Sequence, residues 1–266
     1  MPTTPAKNLL YRAALPILEP RSRGQMTHHI SGHPLTTLPN YERILAKHHV
    51  FGASLLLQNG ANCALCNTST AQPEHLAQEN TLYRVASITK MATALVTLRC
   101  IDNGLFSLDS EAASLLPDGE KTPALSGVTV RHLLCHTSGL RDLPMLDSCL
   151  KEGKPYTELL RQPEIRACAP GQQLIYSNFG FGLLGCILEQ QTGLCIEPLF
   201  QEMLFRPLHM RATLDASTLN EAEIMPITRV LPYRAGRELR VTALGRHPLQ
   251  KPNPLCHYGH TAGAMY

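Results

Sequence analysis

An α+β fold is the expectation for this chain, and three stretches carry it. Val50 to Gly60 reads as a strand that closes in an Asn59-Gly60 turn, and Ala61 to Asn67 returns as its hairpin partner. Two stretches of helical periodicity follow, one from Ser87 to Asn103-Gly104 and one from Phe179 to Thr192-Gly193. Strands first and helices afterwards put sheet and helices in separate regions. At 266 residues the chain has room for a large core, as one domain or as two interleaved ones.

Composition narrows the function before any motif does. Hydrophobic content of 44% with 17% charged residues is that of a globular chain, so disorder is not the default. A net charge of +3 gives no electrostatic reason to expect nucleic acid or an anionic membrane surface. No apolar run reaches the length of a membrane span. Tryptophan is absent and aromatics are 5%, so the core must rest on Leu, Ala, Ile and Val. The apolar stretch Leu9 to Leu18 is short and broken by Arg12 and Pro16, unlike an export signal. Nine cysteines, an odd number without a disulfide-like framework, agree with that in pointing to the cytoplasm. Cys63-x-x-Cys66 has no second pair to complete a zinc site and reads as incidental thiols in the hairpin. No metal and no cofactor is expected.

In chain order, residues 1–40 are rich in Pro, Thr and His and are expected to be an irregular leader, with one domain over 41–266. Residues 41–49 read as a short helix, and the hairpin follows. The next stretch, Arg84-Val85-Ala86-Ser87-Ile88-Thr89-Lys90-Met91, carries the chemistry. Met91, Ala92, Ala94, Leu95, Val96, Leu98 and Ile101 repeat at helical spacing behind it. Positions i and i+3 share a helix face, which brings Lys90 towards Ser87. Ser87 also stands at the positive end of the helix dipole, where backbone N–H groups suit a developing oxyanion. A serine hydroxyl needs a neighbouring base to become a nucleophile. The bland reading of the same residues is a helix-capping serine and a solvated first-turn lysine.

Context favours the chemical reading. Tyr83 to Lys90 resembles the nucleophile segment of the β-lactamase-related serine hydrolases, in which the motif is Ser-x-x-Lys. Three later segments are similar to that family too. Gly104-Leu105-Phe106-Ser107-Leu108-Asp109 with Leu115-Leu116-Pro117-Asp118 resembles its G-x-L-x-L-D … L-P run. Val128 to Leu140 resembles I-T-V-R-H-L-L-x-H-T-S-G-L, with Thr129 capping a short helix. Pro170 to Asn178 resembles P-G-x-x-x-x-Y-S-N, and a helix follows. His132 and His136 are four apart, but with no third ligand they are architectural, and His136 to Gly139 shapes a wall of the cleft. Further on, Phe205 to Thr213 resembles a P-L-G-M-x-x-T loop with His209 in place of glycine. Leu231-Pro232-Tyr233 resembles a common loop segment.

The resemblance implies an antiparallel sheet backed by helices, plus an all-α region. It implies that Tyr176 is the acid/base partner, its phenolate stabilised by Lys90, and that Asn178 binds the acyl side chain or holds Lys90. The His260-Thr261-Ala262-Gly263 end looks superficially like the family's third active-site motif. It aligns better with an earlier A-G-G-(L/M)-x-S-T segment that begins another helix. The family's closing strands and third motif are then missing, which makes this a C-terminally truncated member. The expected activity is that of a serine hydrolase cleaving an amide, ester or β-lactam bond of a small molecule or short peptide through an acyl-enzyme on Ser87. The alternatives are a non-catalytic penicillin-binding-like or interaction module, and an inactive fragment.

Overall fold

The computed structural model describes residues 26–29, 44, 50, 52–60, 62–69, 77–117, 119, 122–225, 228–235, 238–246 and 260–266. The chain divides into two compact units, each made of two segments. One holds 1–83 and 220–249, the other 84–219 and 250–266.

The first unit holds the strands. β1 (Met26–His29), β2 (Gly52–Asn59) and β3 (Asn62–Ser69) form an antiparallel sheet in the order β1-β3-β2. The hairpin register pairs Asn59 with Asn62, so Asn59 is a strand residue and Gly60 stands in the turn. Gly60 has φ +60°, the conformation a two-residue hairpin loop demands at its first position. Within the stretch expected to be irregular, Met26–His29 pairs with Leu65 to Thr68 as an edge strand. Of the helix expected at 41–49, only Ile44 lies among the described residues, and it is helical. Leu231-Pro232-Tyr233, expected in a loop, instead lies inside β4 (Thr228–Ala235), which pairs antiparallel with β5 (Glu238–Arg246). A two-stranded ribbon is all edge, which is where a strand tolerates a proline such as Pro232. Leu82 joins the two segments of this unit through a parallel bridge to Ile224. Its N–H donates to the Glu223 carbonyl, and its carbonyl accepts from Met225.

The second unit is helical. A single 3₁₀ turn, Ala86–Ile88, leads into α1 (Thr89–Asp102). Short helices follow: α2 (Ala112–Leu115), α3 (Val130–Leu134), α4 (Leu146–Glu152) and α5 (Tyr156–Leu160). Then come α6 (Asn178–Thr192), α7 (Ile196–Phe200) with a π turn over Gln201–Phe205, and finally α8 (His260–Gly263).

α6 is the centre of this unit. Phe179, Phe181, Leu183, Leu184, Ile187 and Leu188 are all buried, so most of its surface is core-facing. Ser177 caps it by accepting from the Gly180 N–H at 2.9 Å, and Gly193 ends it in the left-handed conformation. The α1 helix buries Ala92, Val96 and Cys100 together with Thr89, Thr93 and Thr97. The threonine hydroxyls reach carbonyls, Thr93 to Thr261 at 2.7 Å and Thr97 to Thr93 at 2.7 Å, which makes their burial tolerable. Three members of the apolar repeat, Met91, Leu95 and Leu98, are exposed. Among the described residues no single helix is long and apolar enough to cross a membrane.

Candidate active site

Local backbone conformation prepares Ser87. The residue before it, Ala86, has φ +47°, a left-handed value that L-residues adopt at a cost. Three contacts hold the turn. Thr89 Oγ1 donates to the Ala86 carbonyl at 2.6 Å, Val85 N–H to the Met265 carbonyl at 3.0 Å, and Met265 N–H to Thr89 Oγ1 at 3.1 Å. Ser87 is therefore exposed at the head of α1 while its flanks are pinned.

Lys90 stands one turn on and is buried to 7% exposure. Its Nζ donates to Ser87 Oγ at 3.3 Å, to Asn178 Oδ1 at 2.8 Å and to the Ala262 carbonyl at 2.7 Å. An ammonium carries three donors and no acceptor, so here each N–H has an acceptor. That satisfies the cost of burying a charge. The rings of Tyr176 and Phe181 lie 4.9 and 5.6 Å from the same nitrogen.

The Tyr176 hydroxyl lies 2.7 Å from Ser87 Oγ, donating to it. Burial alone would push the phenol's pKa up. The hydrogen bond to Ser87 and the neighbouring Lys90 ammonium outweigh burial and hold it below the ordinary tyrosine value. The four residues expected from the sequence, Ser87, Lys90, Tyr176 and Asn178, thus converge on one point.

Two stretches that are far apart in sequence are zipped together to achieve this. The Ile175 N–H donates to the His136 carbonyl, Gly171 to Thr137, Ala167 to Gly139, and Arg141 to Ile165. His136 and Gly139 take left-handed φ values of +57° and +75° within this ladder. A Cβ on Gly139 would collide with the Cys168 carbonyl, so the close approach requires glycine. His132 completes a capping box with Thr129. His136 accepts the Ser177 N–H on Nδ1 at 3.2 Å, and its ring centroid lies 4.4 Å from that of Tyr176. Burial first, and the nearby Lys90 charge second, lower the His136 pKa below its usual value. His132 and His136 thus each make a hydrogen bond that shapes the backbone here, and no cluster of three metal-ligating side chains exists among the described residues.

Two participants were not legible in the sequence. The first is the α8 segment. The residues that resemble a helix start also bring the Ala262 carbonyl to Lys90, and Thr261 Oγ1 to the Phe181 carbonyl at 2.8 Å. The second is Asp142, two residues past the His136–Leu140 run, whose carboxylate binds the first residues of α6. Its only signal in the sequence is a carboxylate close behind a glycine turn.

The fold is of the β-lactamase/transpeptidase type, that of serine hydrolases and related acyltransferases. The sequence model described as Beta-lactamase matches residues 39–250, and the chain belongs to that family. It is 32% identical over 157 residues to the monacolin J acid methylbutanoyltransferase of Aspergillus terreus, covering 49% of this chain and 37% of that one. It is 30% identical over 146 residues to the D-alanyl-D-alanine-carboxypeptidase/endopeptidase AmpH of Escherichia coli, covering 51% and 37%. The octameric penicillin-binding protein homologue from Pyrococcus abyssi shares the fold, with a TM-score of 0.65 at 19% identity over 85% of this chain and 51% of that one. The matched stretches span little more than a third of the length of these two curated relatives.

Proposed function

We propose that this chain carries the acylation centre of a serine hydrolase or acyltransferase acting on an amide, ester or β-lactam carbonyl. The observation that supports the reading is the contact of Ser87 Oγ with both Tyr176 Oη at 2.7 Å and Lys90 Nζ at 3.3 Å. Chance capping gives a serine no reason to meet both groups.

In this mechanism Tyr176 acts as its phenolate. It takes the Ser87 proton as Oγ bonds to the substrate's carbonyl carbon, and the carbonyl π electrons move to oxygen. Collapse of the tetrahedral intermediate breaks the bond to the leaving group, which receives the proton back from Tyr176. Lys90, with its three N–H groups engaged, serves as the cation that keeps Tyr176 ionisable rather than as the base. Asn178 holds Lys90 through its Oδ1 at 2.8 Å. Water or an alcohol then attacks the acyl-enzyme by the same proton path. Resemblance to a methylbutanoyltransferase gives the alcohol acceptor a specific standing beside water.

Intact-mass analysis after treatment with a fluorophosphonate tests this. One adduct is expected, on Ser87, absent in Ser87→Ala, and formed about 10²–10⁴ times more slowly in Lys90→Ala and Tyr176→Phe. Labelling at the unaltered rate in both of those variants would refute the proton path. A chain that is folded but takes no label would support the non-catalytic module instead. Adding a primary alcohol to an ester substrate separates the two acceptors, since a transferase yields the new ester.

A further inference from the structure

We infer that Asp142 is a positioning residue for this site, setting which end of the Asn178 amide faces Lys90. The inference rests on the reading of Ser87 and Lys90 given above. Asp142 is half-buried, and both of its oxygens are taken up by three consecutive residues. Oδ1 accepts from Phe179 N–H at 2.9 Å and from Ser177 Oγ at 3.2 Å. Oδ2 accepts from Asn178 N–H at 3.1 Å and from Asn178 Nδ2 at 2.7 Å.

The last of these contacts determines the orientation. A primary amide presents an acceptor at one end and donors at the other, and the two ends have nearly the same shape. Asn178 lies between an ionised carboxylate, which only accepts, and an ammonium, which only donates. One orientation satisfies both neighbours: Nδ2 to Asp142 and Oδ1 to Lys90 at 2.8 Å. Without the carboxylate that orientation loses its preference. The amide is then free to turn its oxygen away from Lys90. Lys90 would lose one of its three acceptors. The nitrogen that meets Ser87 would then no longer be held in place.

Asp142→Asn is the test, since it keeps the shape and one accepting oxygen. Fluorophosphonate labelling of Ser87 is expected to slow about 10- to 100-fold, the scale of a modest misplacement of reacting groups. Midpoint denaturation measured alongside separates this from loss of fold. The discriminating variant is the pair Asp142→Asn/Asn178→Ala. If Asp142 acts through Asn178, the pair labels no more slowly than Asn178→Ala alone. Full additivity of the two losses would overturn the inference, as would an Asp142→Asn chain labelled at the original rate. The ε-carbon resonance of Lys90, assigned by Lys90→Arg in a ¹³C-lysine-labelled chain, supplies a readout independent of labelling. It should move in Asp142→Asn as it does in Asn178→Ala. Absence of label in the unaltered chain would count against Ser87 as nucleophile, while an unmoved Lys90 resonance would count against Asp142.

Discussion

At the scale of single residues, several positions adopt conformations that their residue type does not favour, and the surrounding contacts explain why. His209 stands where the resembled loop has glycine, and it holds φ +52° there, a value glycine adopts without strain. The glycine of the resembled segment is thus a backbone requirement that this chain meets with a histidine. His136 has φ +57° and also a hydrogen-bonding duty, accepting the Ser177 N–H beside Tyr176. Its pKa is lowered in the folded chain, chiefly by burial and then by Lys90, so the unfolded chain binds a proton more readily. The stability this provides is complete above the ordinary histidine pKa and is lost as pH falls towards the folded value. His136→Asn keeps an acceptor and tolerates the left-handed backbone. Urea midpoints measured between pH 7.5 and 5.5 should therefore fall less steeply in that variant than in the unaltered chain; parallel slopes would exclude His136 as the cause.

At the scale of elements, the approach of α8 to α6 is set by a missing side chain. A Cβ at Gly185 would lie 2.7 Å from Thr261 Oγ1, the hydroxyl that donates to the Phe181 carbonyl. Gly185→Ala gains helix propensity but forces that pair apart, and overpacking of this kind typically costs about 1–3 kcal/mol. The denaturation midpoint should drop accordingly. Adding Thr261→Ala, which removes the obstructing atoms, should recover part of the loss. The α1 helix shows the limit of pattern reading. Its apolar residues cover more than one arc, and the packed arc is the one carrying Ala92, Val96 and three threonines. Periodicity counts apolar positions; it does not foresee that buried hydroxyls will find carbonyls on α8 and on the preceding turn.

At the scale of the molecule, residues 260–266 complete the helical unit. Ala262 and Thr261 accept from Lys90 and Thr93, Met265 accepts from Val85 and donates to Thr89 on either side of Ser87, and Tyr266 pairs through both backbone groups with Thr213. A chain ending at residue 259 would leave buried Lys90 short of an acceptor and bare the sides of α1 and α6. Loss of an acceptor to a buried charge costs about 1–3 kcal/mol before any lost packing is added. Such a chain should fail to label Ser87 and should unfold without a sharp transition by circular dichroism. Retention of both properties would show that the segment is dispensable.

The sequence alone determined the family, the hairpin, the two long helices and the four residues that meet at the site. Each of these rests on short-range spacing or on a contiguous motif, which one strand, one turn or one helix face can express. The tertiary structure decided the rest. Which arc of α1 is buried, that Leu231 to Tyr233 belongs to a strand, that Asp142 meets Asn178 and that the Ala262 carbonyl meets Lys90 are matters of partners distant in the chain. Lys90 and Ala262 are 172 positions apart, and Asp142 lies 36 before Asn178. The physical reason is that a buried cation and an ambiguous amide take their orientation from whichever acceptors packing brings to them.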